Sequence, residues 1–390
     1  MAGTSNGGKA IRLAIAGGGT GGHVLPAMAT VEELRRRSLA ANLLWIGSES
    51  GIEREAAAGT GIPFQTIQTG KLRRYFSLQT VTDAARLPIG VAQARRFLAS
   101  FRPDVVFSTG GFVSVPSVIA AKGIAPILTH EQTAVLGLAT RIDARFADVL
   151  AVSWDQTAAA AAAIHRRVVV TGNPVRAFLD QGDAGRARAA FGFSADLPLL
   201  YVTGGARGAS PLNTRLERLL PGLLERCQVL HQTGPGSANA DLARLSERRL
   251  NWPSHLQDRY RPVEFVGDEL PDVYAASDLI LGRAGAGTVA ELAVLGKPAI
   301  LIPLPGAGGD EQTRNARILA DVDGAVLIRQ EQATPERLAE VVEALLADPE
   351  RRRRIAANAR SVAKSDAAAR LADVLLELAG ERPRERRITH

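Results

Sequence analysis

Residues 16–26 of the chain read Ala16-Gly17-Gly18-Gly19-Thr20-Gly21-Gly22-His23-Val24-Leu25-Pro26, a glycine-rich turn between two apolar segments. The run from Ile11 to Ile15 before it is typical of a buried parallel strand, and Met28, Val31 and Leu34 after it have helical spacing. Glycines let backbone N–H groups approach a ligand closely, and the positive end of the following helix attracts anions. The chain therefore opens with a turn that favours phosphate binding.

This turn alone does not identify its ligand. Gly17, Gly19 and Gly22 also satisfy the G-x-G-x-x-G pattern of dinucleotide sites, and a glycine turn can lack a ligand altogether. A second element of the same kind occurs downstream, where the apolar run Leu199–Thr203 leads into Gly204-Gly205-Ala206-Arg207-Gly208-Ala209 and a helical pattern. Two such turns make an NAD-linked oxidoreductase the weaker interpretation.

Composition limits the class of protein. A length of 390 residues predicts two domains, and 46% hydrophobic with 22% charged residues is typical of a soluble globular protein. The single cysteine, Cys227, fits a reducing cytoplasm, and the sequence predicts neither a signal peptide nor a membrane-spanning run. A net charge of +7 suits an anionic partner, but aromatic residues are few and stand apart from the arginines, so we expect no nucleic acid.

Strand-like and helix-like segments alternate along the chain, which predicts an α/β fold of doubly wound parallel sheets. The breakers Gly172-Asn173-Pro174 and Gln181-Gly182-Asp183 predict a boundary between domains 1–178 and 179–380, followed by a basic tail, 381–390. The predicted strands are Ile11–Ala16, Asn42–Ile46, Pro63–Ile67, Asp104–Thr109, Pro126–His130, Val149–Ser153, Val168–Thr171, Leu199–Thr203, Val229–Gln232, Val263–Val266, Leu279–Leu281, Ala299–Pro303 and Ala325–Ile328.

Polar residues follow several of these strands. Ser108–Ser114 is a further strand-to-helix glycine turn, and His130-Glu131-Gln132-Thr133 stands at the end of the next strand. Ligands of open α/β sheets bind beyond the carboxyl ends of strands. These residues are therefore either part of a ligand site or a hydrogen-bonded loop brace.

The segment Arg283–Leu292 is the most informative part of the second half. A helix that begins at Gly287 or Thr288 turns Val289 and Leu292 to the core, which places Thr288 and Glu291 on the opposite side. A carboxylate there can accept hydrogen bonds from vicinal ribose hydroxyls; the alternative is a glutamate placed favourably near a helix N-terminus.

The next strand leads into Pro303–Gly309, and Asp310 is expected to cap the helix that follows. Gln312 and Asn315 lie three residues apart, on one face of this helix. Their amides, which donate and accept hydrogen bonds, suit sugar hydroxyls.

Several motifs, in order along nearly the whole chain, resemble the MurG family of UDP-GlcNAc transferases. The resembling motifs are Gly18-Gly19-Thr20-Gly21-Gly22-His23, Gly110-Gly111-Phe112-Val113-Ser114, His130-Glu131-Gln132, Gly172-Asn173-Pro174-Val175-Arg176, Gly204-Gly205 with Gly208-Ala209, Arg283-Ala284-Gly285-Ala286 through Glu291, and Gln312 with Asn315. The resemblance implies a GT-B fold of two Rossmann-like domains with a cleft between them. It implies transfer of GlcNAc from UDP-GlcNAc to the C4 hydroxyl of MurNAc in undecaprenyl-pyrophosphoryl-MurNAc-pentapeptide, with inversion at the anomeric carbon. We expect no cofactor.

The resemblance also implies the roles of individual residues. Glu291 would hold the ribose, Val266 the uracil through its backbone, and Gln312 the GlcNAc hydroxyls. The remaining substrate-binding candidates are Thr20, Gly21, Gly22, Thr133, Arg176, Ala206, Arg207, Ala286, Gly287, Thr288, Val289, Ala290 and Asn315.

The chain departs from the family pattern at two places. Thr133 stands where the family has asparagine, and Ala206-Arg207 where it has Ser-Gln. Because Ala206 cannot donate to phosphate, we hypothesise that Arg207 supplies positive charge instead.

His23 is the candidate general base, because the positive end of the helix disfavours imidazolium and keeps a proton-accepting ring. In the rival interpretation it positions the acceptor's pyrophosphate. His130 and Glu131 are weaker candidates for the base. Asp321-Val322-Asp323 matches a D-x-D metal motif, but its place before Gly324 predicts a helix-ending turn, so we expect no bound metal.

The lipid-linked acceptor implies a peripheral protein on the cytoplasmic side of the bacterial cell membrane. Lys71–Phe76 leads into apolar residues interspersed with Arg86, Arg95 and Arg96, which suits anionic lipid or a plain core-packing helix with a basic face. The apolar residues are Leu78, Val81, Leu87, Val91, Phe97 and Phe101. Alternative functions are another GT-B transferase acting on a glycolipid, a UDP-sugar epimerase and a non-catalytic nucleotide-sugar-binding subunit.

Overall fold

The structure is a computed structural model that describes residues 11–49, 51–70, 78–306 and 309–380. The described residues form two compact units, one within Met1–Arg176 and Lys364–His390 and the other within Ala177–Ala363. The division between Arg176 and Ala177 lies close to the predicted boundary. The chain returns to the first unit at Lys364, however, whereas the sequence patterning kept residues 364–380 in the second domain.

The described part of the first unit holds a parallel sheet of seven strands in the order β3-β2-β1-β4-β5-β6-β7. Its strands are β1 (Ile11–Gly17), β2 (Ala40–Gly47), β3 (Phe64–Thr66), β4 (Val105–Gly110), β5 (Ile127–Glu131), β6 (Val149–Val152) and β7 (Val168–Val170). Its helices are α1 (Gly21–Arg36), α2 (Ile52–Gly59), α3 (Leu78–Phe101), α4 (Ser114–Ala121), α5 (Leu138–Asp143), α6 (Asp155–Ala162) and, after the second unit, α16 (Ala367–Gly380).

The described part of the second unit repeats this plan with six parallel strands in the order β10-β9-β8-β11-β12-β13. A 3-10 turn, Ala177–Asp180, begins this unit. Its strands are β8 (Leu199–Thr203), β9 (Gln228–Gln232), β10 (Tyr260–Val263), β11 (Leu279–Gly282), β12 (Ala299–Leu301) and β13 (Val326–Leu327). Its helices are α7 (Ala184–Phe191), α8 (Ser210–Leu224), α9 (Asp241–Arg249), α10 (Ser254–Asp258), α11 (Leu270–Ala276), α12 (Ala286–Leu295), α13 (Glu311–Ala320), α14 (Pro335–Ala347) and α15 (Pro349–Ser361).

In each sheet the strand order switches at the first strand of the unit, β1 or β8. Some of the later strands lie on one side of this strand and the rest on the other. β1 lies between β2 and β4, with Gly17 in register with Gly110, and β8 lies between β9 and β11, with Thr203 in register with Gly282. Such a switch point leaves a crevice at the carboxyl ends of the two central strands, where open α/β sheets bind ligands. The glycine turns found in the sequence therefore stand at the two switch points, as the doubly wound prediction requires.

Helix α16 belongs to the first unit because of the side chains that it buries. Leu371, Leu375 and Leu378 are buried in the same cluster as Leu13 and Val31. Burial of a leucine side chain contributes roughly 1.5–3 kcal/mol. The sequence patterning identified a helical end but could not indicate which sheet it covers.

One further prediction is corrected. The predicted strand Val263–Val266 begins and ends too late, because β10 pairs with β9 from Tyr260, and Phe265 is 59% exposed. In α3, Val91, Phe97 and Phe101 pack against the core cluster of Ala94 and Leu98, which agrees with the core-packing alternative for these residues. The described residues include no helix that is both long and apolar enough to cross a bilayer.

Candidate active site

His23 is the third residue of α1 and lies at the end of β4. Its Nδ1 is 2.9 Å from the carbonyl oxygen of Thr109 and 3.1 Å from Oε1 of Gln132. Gln132 is oriented by its own contacts, because its Nε2 donates to the carbonyls of Thr109 (2.8 Å) and His130 (3.1 Å). The side-chain oxygen of Gln132 therefore faces His23. With two acceptors at Nδ1, the neutral imidazole carries its hydrogen there and its lone pair at Nε2.

His130 continues this hydrogen-bonded chain inward. Its Nδ1 lies 3.2 Å from Nε2 of Gln132, and its Nε2 donates to the carbonyl of Gly172 at 3.0 Å. Burial lowers the pKa of His130 to about 4, against the backbone hydrogen bond to Gly172, which raises it. His130 is thus a neutral, buried brace of Gln132.

Glu131 and Thr133 are bonded to each other within the loop after β5. Glu131 accepts from the backbone N–H and the hydroxyl of Thr133, and from the N–H of Gly137. The Thr133 hydroxyl also lies 2.5 Å from the carbonyl of Val135. These contacts match the loop-brace interpretation of the His130–Thr133 segment.

The glycine turn after β4 lies against the His23 ring. Gly110 and Gly111 both have φ near +80°, and a Cβ on Gly111 would stand 2.7 Å from the carbonyl of Gly18 and 3.1 Å from Cδ2 of His23. A side chain at Gly111 would therefore displace either the first glycine turn or the imidazole.

Two buried acids that the sequence patterning did not single out support these turns. Glu53 accepts hydrogen bonds from the N–H of Gly19 (2.9 Å) and from the N–H and hydroxyl of Ser48. These bonds tie the first glycine turn to the loop after β2. Asp143 lies beneath the second turn, and its Oδ2 is 2.9 Å from the Ser108 hydroxyl and 2.6 Å from that of Ser114. Burial raises the pKa of Asp143 to about 7.

In the second unit, the turn after β8 presents Ala206 and Arg207 to solvent. Gly208 has φ near +71°, and a Cβ there would stand 2.0 Å from the carbonyl of Thr233. The turn is therefore packed directly on the end of β9, and its exposed tip carries the positive charge of Arg207.

Helix α12 carries the predicted ribose carboxylate. Val289 and Leu292 are buried while Thr288 and Glu291 are half-buried on the other side, as the helical spacing predicts. The helix begins at Ala286 after Gly285, with no side-chain cap. Glu291 Oε2 accepts from the Tyr274 hydroxyl at 2.7 Å.

The predicted base-contacting residue, Val266, is 2% exposed, and its N–H donates to Oε1 of Gln232 at 2.9 Å. Since this N–H is bound inside the unit, the carbonyl is the backbone group that Val266 can offer to a base. A carbonyl accepts from an N–H, such as N3–H of uracil.

Gln312 and Asn315 have different environments. Gln312 is half-buried, and its Oε1 accepts from the N–H of Leu304 at 2.9 Å, whereas Asn315 is fully buried and donates to the carbonyl of Ala284 at 3.2 Å. Asp310 precedes the helix as predicted, but its carboxylate accepts from the Thr313 hydroxyl instead of a backbone N–H. Asn315 therefore ties α13 to the loop after β11.

The remaining candidates lie near the turns. Thr20 is exposed, Gly21 and Gly22 begin α1, and Arg176 is half-buried at the last position of the first unit's main segment.

Asp321 and Asp323 form the turn that ends α13, where the N–H of Gly324 donates to the carbonyl of Leu319 at 2.7 Å. This confirms the helix-ending interpretation of D-x-D.

Comparison with known proteins places the chain in a family. Residues 13–152 match the glycosyltransferase family 28 N-terminal domain, and residues 199–371 match the C-terminal domain of that family. A relative from Listeria welshimeri is 35% identical, over 94% of this chain and 99% of its own. It is named UDP-N-acetylglucosamine–N-acetylmuramyl-(pentapeptide) pyrophosphoryl-undecaprenol N-acetylglucosamine transferase.

Solved structures agree with the fold. MurG of Acinetobacter baumannii is 28% identical with a TM-score of 0.70, covering 94% of this chain and 99% of its own. A UDP-GlcNAc 2-epimerase from Neisseria meningitidis, with a TM-score of 0.65 over 94% of this chain and 99% of its own, shares 15% identity and so only the fold. The two parallel-sheet units have the GT-B architecture, and the chain belongs to glycosyltransferase family 28 and, within it, to the MurG family.

Proposed function

We propose that this chain transfers GlcNAc from UDP-GlcNAc to the C4 hydroxyl of MurNAc in undecaprenyl-pyrophosphoryl-MurNAc-pentapeptide, with inversion at the anomeric carbon. The reaction converts lipid I to lipid II in peptidoglycan synthesis. The observation that carries this proposal is the His23 imidazole, whose Nδ1–H is held by Thr109 and Gln132 so that Nε2 is a proton acceptor. The names of the relatives support the choice of substrates.

In this reaction His23 acts as the general base. Its Nε2 takes the proton of the acceptor hydroxyl while the hydroxyl oxygen forms a bond to the anomeric carbon and UDP departs. Gln132 and Thr109 hold the ring in the required tautomer. Thr20, Gly21 and Gly22 lie next to His23 in sequence and bind the acceptor's pyrophosphate.

The donor is bound by the second unit. Glu291 accepts from the ribose hydroxyls, and the carbonyl of Val266 accepts from N3–H of uracil. The first turn of α12, residues 286–290, and the charge of Arg207 stabilise the diphosphate as it leaves. Gln312 contacts the GlcNAc hydroxyls.

The first unit also contacts the membrane that carries the acceptor. The predicted anchor Lys71–Phe76 lies outside the described residues. In the described part of α3, Arg86, Arg95 and Arg96 are exposed and Ile89 is 47% exposed, which supports contact with anionic headgroups on the cytoplasmic side.

Vesicles containing anionic lipid should therefore bind the protein, and substitution of Arg73, Arg74 and Phe76 should weaken that binding. Undiminished binding would discard this segment as the anchor.

The decisive assay combines radiolabelled UDP-GlcNAc with a lipid I analogue. Formation of labelled lipid II is the expected result. Epimerised UDP-sugar without an acceptor would indicate an epimerase, and binding without turnover would indicate a nucleotide-sugar-binding subunit. Transfer to a different glycolipid alone would indicate another GT-B transferase.

A further inference from the structure

Gln232 is the last residue of β9, and its side chain is buried between two segments proposed to bind the donor. Its exposed fraction is 4%, and that of Val266 is 2%. A carboxamide in such a position must find partners for both its oxygen and its nitrogen. The partners of Gln232 lie in different loops of the second unit.

The oxygen of Gln232 accepts two hydrogen bonds. The N–H of Val266 donates to Oε1 at 2.9 Å, and the Tyr201 hydroxyl donates to it at 3.1 Å. Burial raises the pKa of Tyr201 far above its ordinary value, so its hydroxyl keeps the donated proton.

The nitrogen of Gln232 binds the second glycine turn. Nε2 donates to the carbonyl of Gly205 at 3.0 Å, next to the exposed Ala206 and Arg207. The orientation of the amide is fixed by chemistry, because the N–H of Val266 needs an acceptor and the carbonyl of Gly205 needs a donor. The Gln232 side chain thus holds both the backbone of Val266, which is proposed to contact uracil, and the turn at Gly205, which is proposed to lie beside the diphosphate.

The same network continues toward the ribose carboxylate. The ring of Tyr201 packs edge-to-face on that of Tyr274, with centroids 6.1 Å apart. The Tyr274 hydroxyl in turn donates to Glu291. The residues around Gln232 therefore contact the segments proposed to bind the uracil, the diphosphate and the ribose.

We propose that Gln232 is a positioning residue for the sugar-nucleotide donor: its carboxamide holds the backbone of Val266 and the turn at Gly205 at the separation that the uridine and diphosphate groups require. This inference rests on the proposed function. Holding both segments before the donor arrives removes an ordering cost from binding.

The test separates the hydrogen bonds made by the oxygen of Gln232 from the hydrogen bond made by its nitrogen. Gln232→Glu keeps an oxygen for Val266 and Tyr201 but places a second oxygen against the carbonyl of Gly205. Gln232→Met keeps the length of the side chain and loses both links. Calorimetry measures the Kd of each full-length variant for UDP and for uridine.

We expect Gln232→Glu to weaken UDP binding by about tenfold or more and uridine binding by less than about threefold. Gln232→Met should weaken both, and it supplies a test without a buried charge if the glutamate variant fails to fold. A binding loss that is equal for UDP and uridine in Gln232→Glu, or unchanged UDP affinity in either variant, would overturn the proposal.

Gln228 provides a matched control at the other end of the same strand. Its side chain is 2% exposed, donates to the carbonyls of Ser194 and Leu197, and accepts from the N–H of Ser194. Gln228→Glu should lower Tm as Gln232→Glu does and leave the Kd for UDP unchanged. An equal loss of UDP affinity in both would show a merely structural effect and overturn the inference. A wild-type chain that binds no UDP would overturn the proposed function as well.

Discussion

The two switch points have the same backbone plan but different side-chain chemistry. At the first switch point several buried polar groups are titratable: Gln132 contacts both His23 and the buried His130, and the buried acids Glu53 and Asp143 support the two glycine turns. At the ends of β8, β9 and β11, the carboxamide of Gln232 is bound by the Tyr201 hydroxyl, and Glu291 accepts from a tyrosine. The buried Arg283 after β11 is also there, and its guanidinium donates to the backbone carbonyls of Ile302 and Pro303. General-base catalysis requires a proton acceptor such as the His23 imidazole. The difference is consistent with the proposal that the first unit carries the proton transfer and the second binds the donor.

The largest expected effect comes from removing the imidazole. His23→Ala should lower kcat by about 100-fold or more, because a positioned general base contributes that much to proton transfer. The Kd for UDP should stay at its wild-type value if donor binding belongs to the second unit. Steady-state kinetics with a lipid I analogue and calorimetry with UDP measure the two quantities.

The rival role of His23 predicts a different result. If the ring positions the acceptor's pyrophosphate, His23→Ala raises the KM for the acceptor and changes kcat little. An unchanged kcat would remove His23 from the chemistry. A weakened Kd for UDP would break the division of labour between the two switch points.

Glu291→Gln should weaken UDP binding by about 10- to 100-fold, because hydrogen bonds to a charged group contribute roughly 1.5–3 kcal/mol. The contact with the ribose can be isolated with 2′-deoxy-UDP. The wild type should prefer UDP over this analogue, and the variant should lose most of that preference. Glu340→Gln, on the exposed face of α14, is the matched control and should bind both as the wild type does. A retained preference in Glu291→Gln would place the ribose elsewhere.

Asp143→Asn should stabilise the first unit in a pH-dependent manner. The pKa of Asp143 is raised from 3.8 to about 7, so between these values the unfolded chain releases a proton that the folded chain retains. Stability of the wild type therefore falls as pH rises through this window, whereas an asparagine has no proton to lose. We expect equal Tm values near pH 4 and a Tm higher by a few degrees for the variant at pH 8. Parallel pH profiles for the two proteins would contradict this.

The alternation of strands and helices is predictable from the sequence because each strand and its following turn carry local signals. The β-branched run Ile11 to Ile15, the glycines after it and the face of Glu291 are readable from neighbouring residues alone. The assignment of α16 to the first unit was not, because an amphipathic helix does not indicate which sheet it covers. Strand order likewise depends on contacts between distant segments.

The supporting residues of the site were missed for a similar reason. Asp143 lies on α5 and meets Ser108 and Ser114 only through tertiary packing. Tyr274 has no motif around it, and its role depends on a single hydrogen bond to Glu291. Gln232 did have a signal, because it is a polar residue at the carboxyl end of a predicted strand.

Arg207→Ala should have the smallest effect and tests whether charge replaces a hydroxyl donor in the second glycine turn. Because Arg207 is exposed, its attraction for a diphosphate is screened, and we expect the KM for UDP-GlcNAc to rise by about two- to fivefold at low salt and by less at 0.5 M salt. Arg218→Ala removes the same charge from an exposed position on α8 and should leave KM unchanged. If Arg207→Ala changed neither KM nor kcat, the backbone of the turn would suffice without that charge, and the second switch point would bind phosphate by hydrogen bonds from its N–H groups alone.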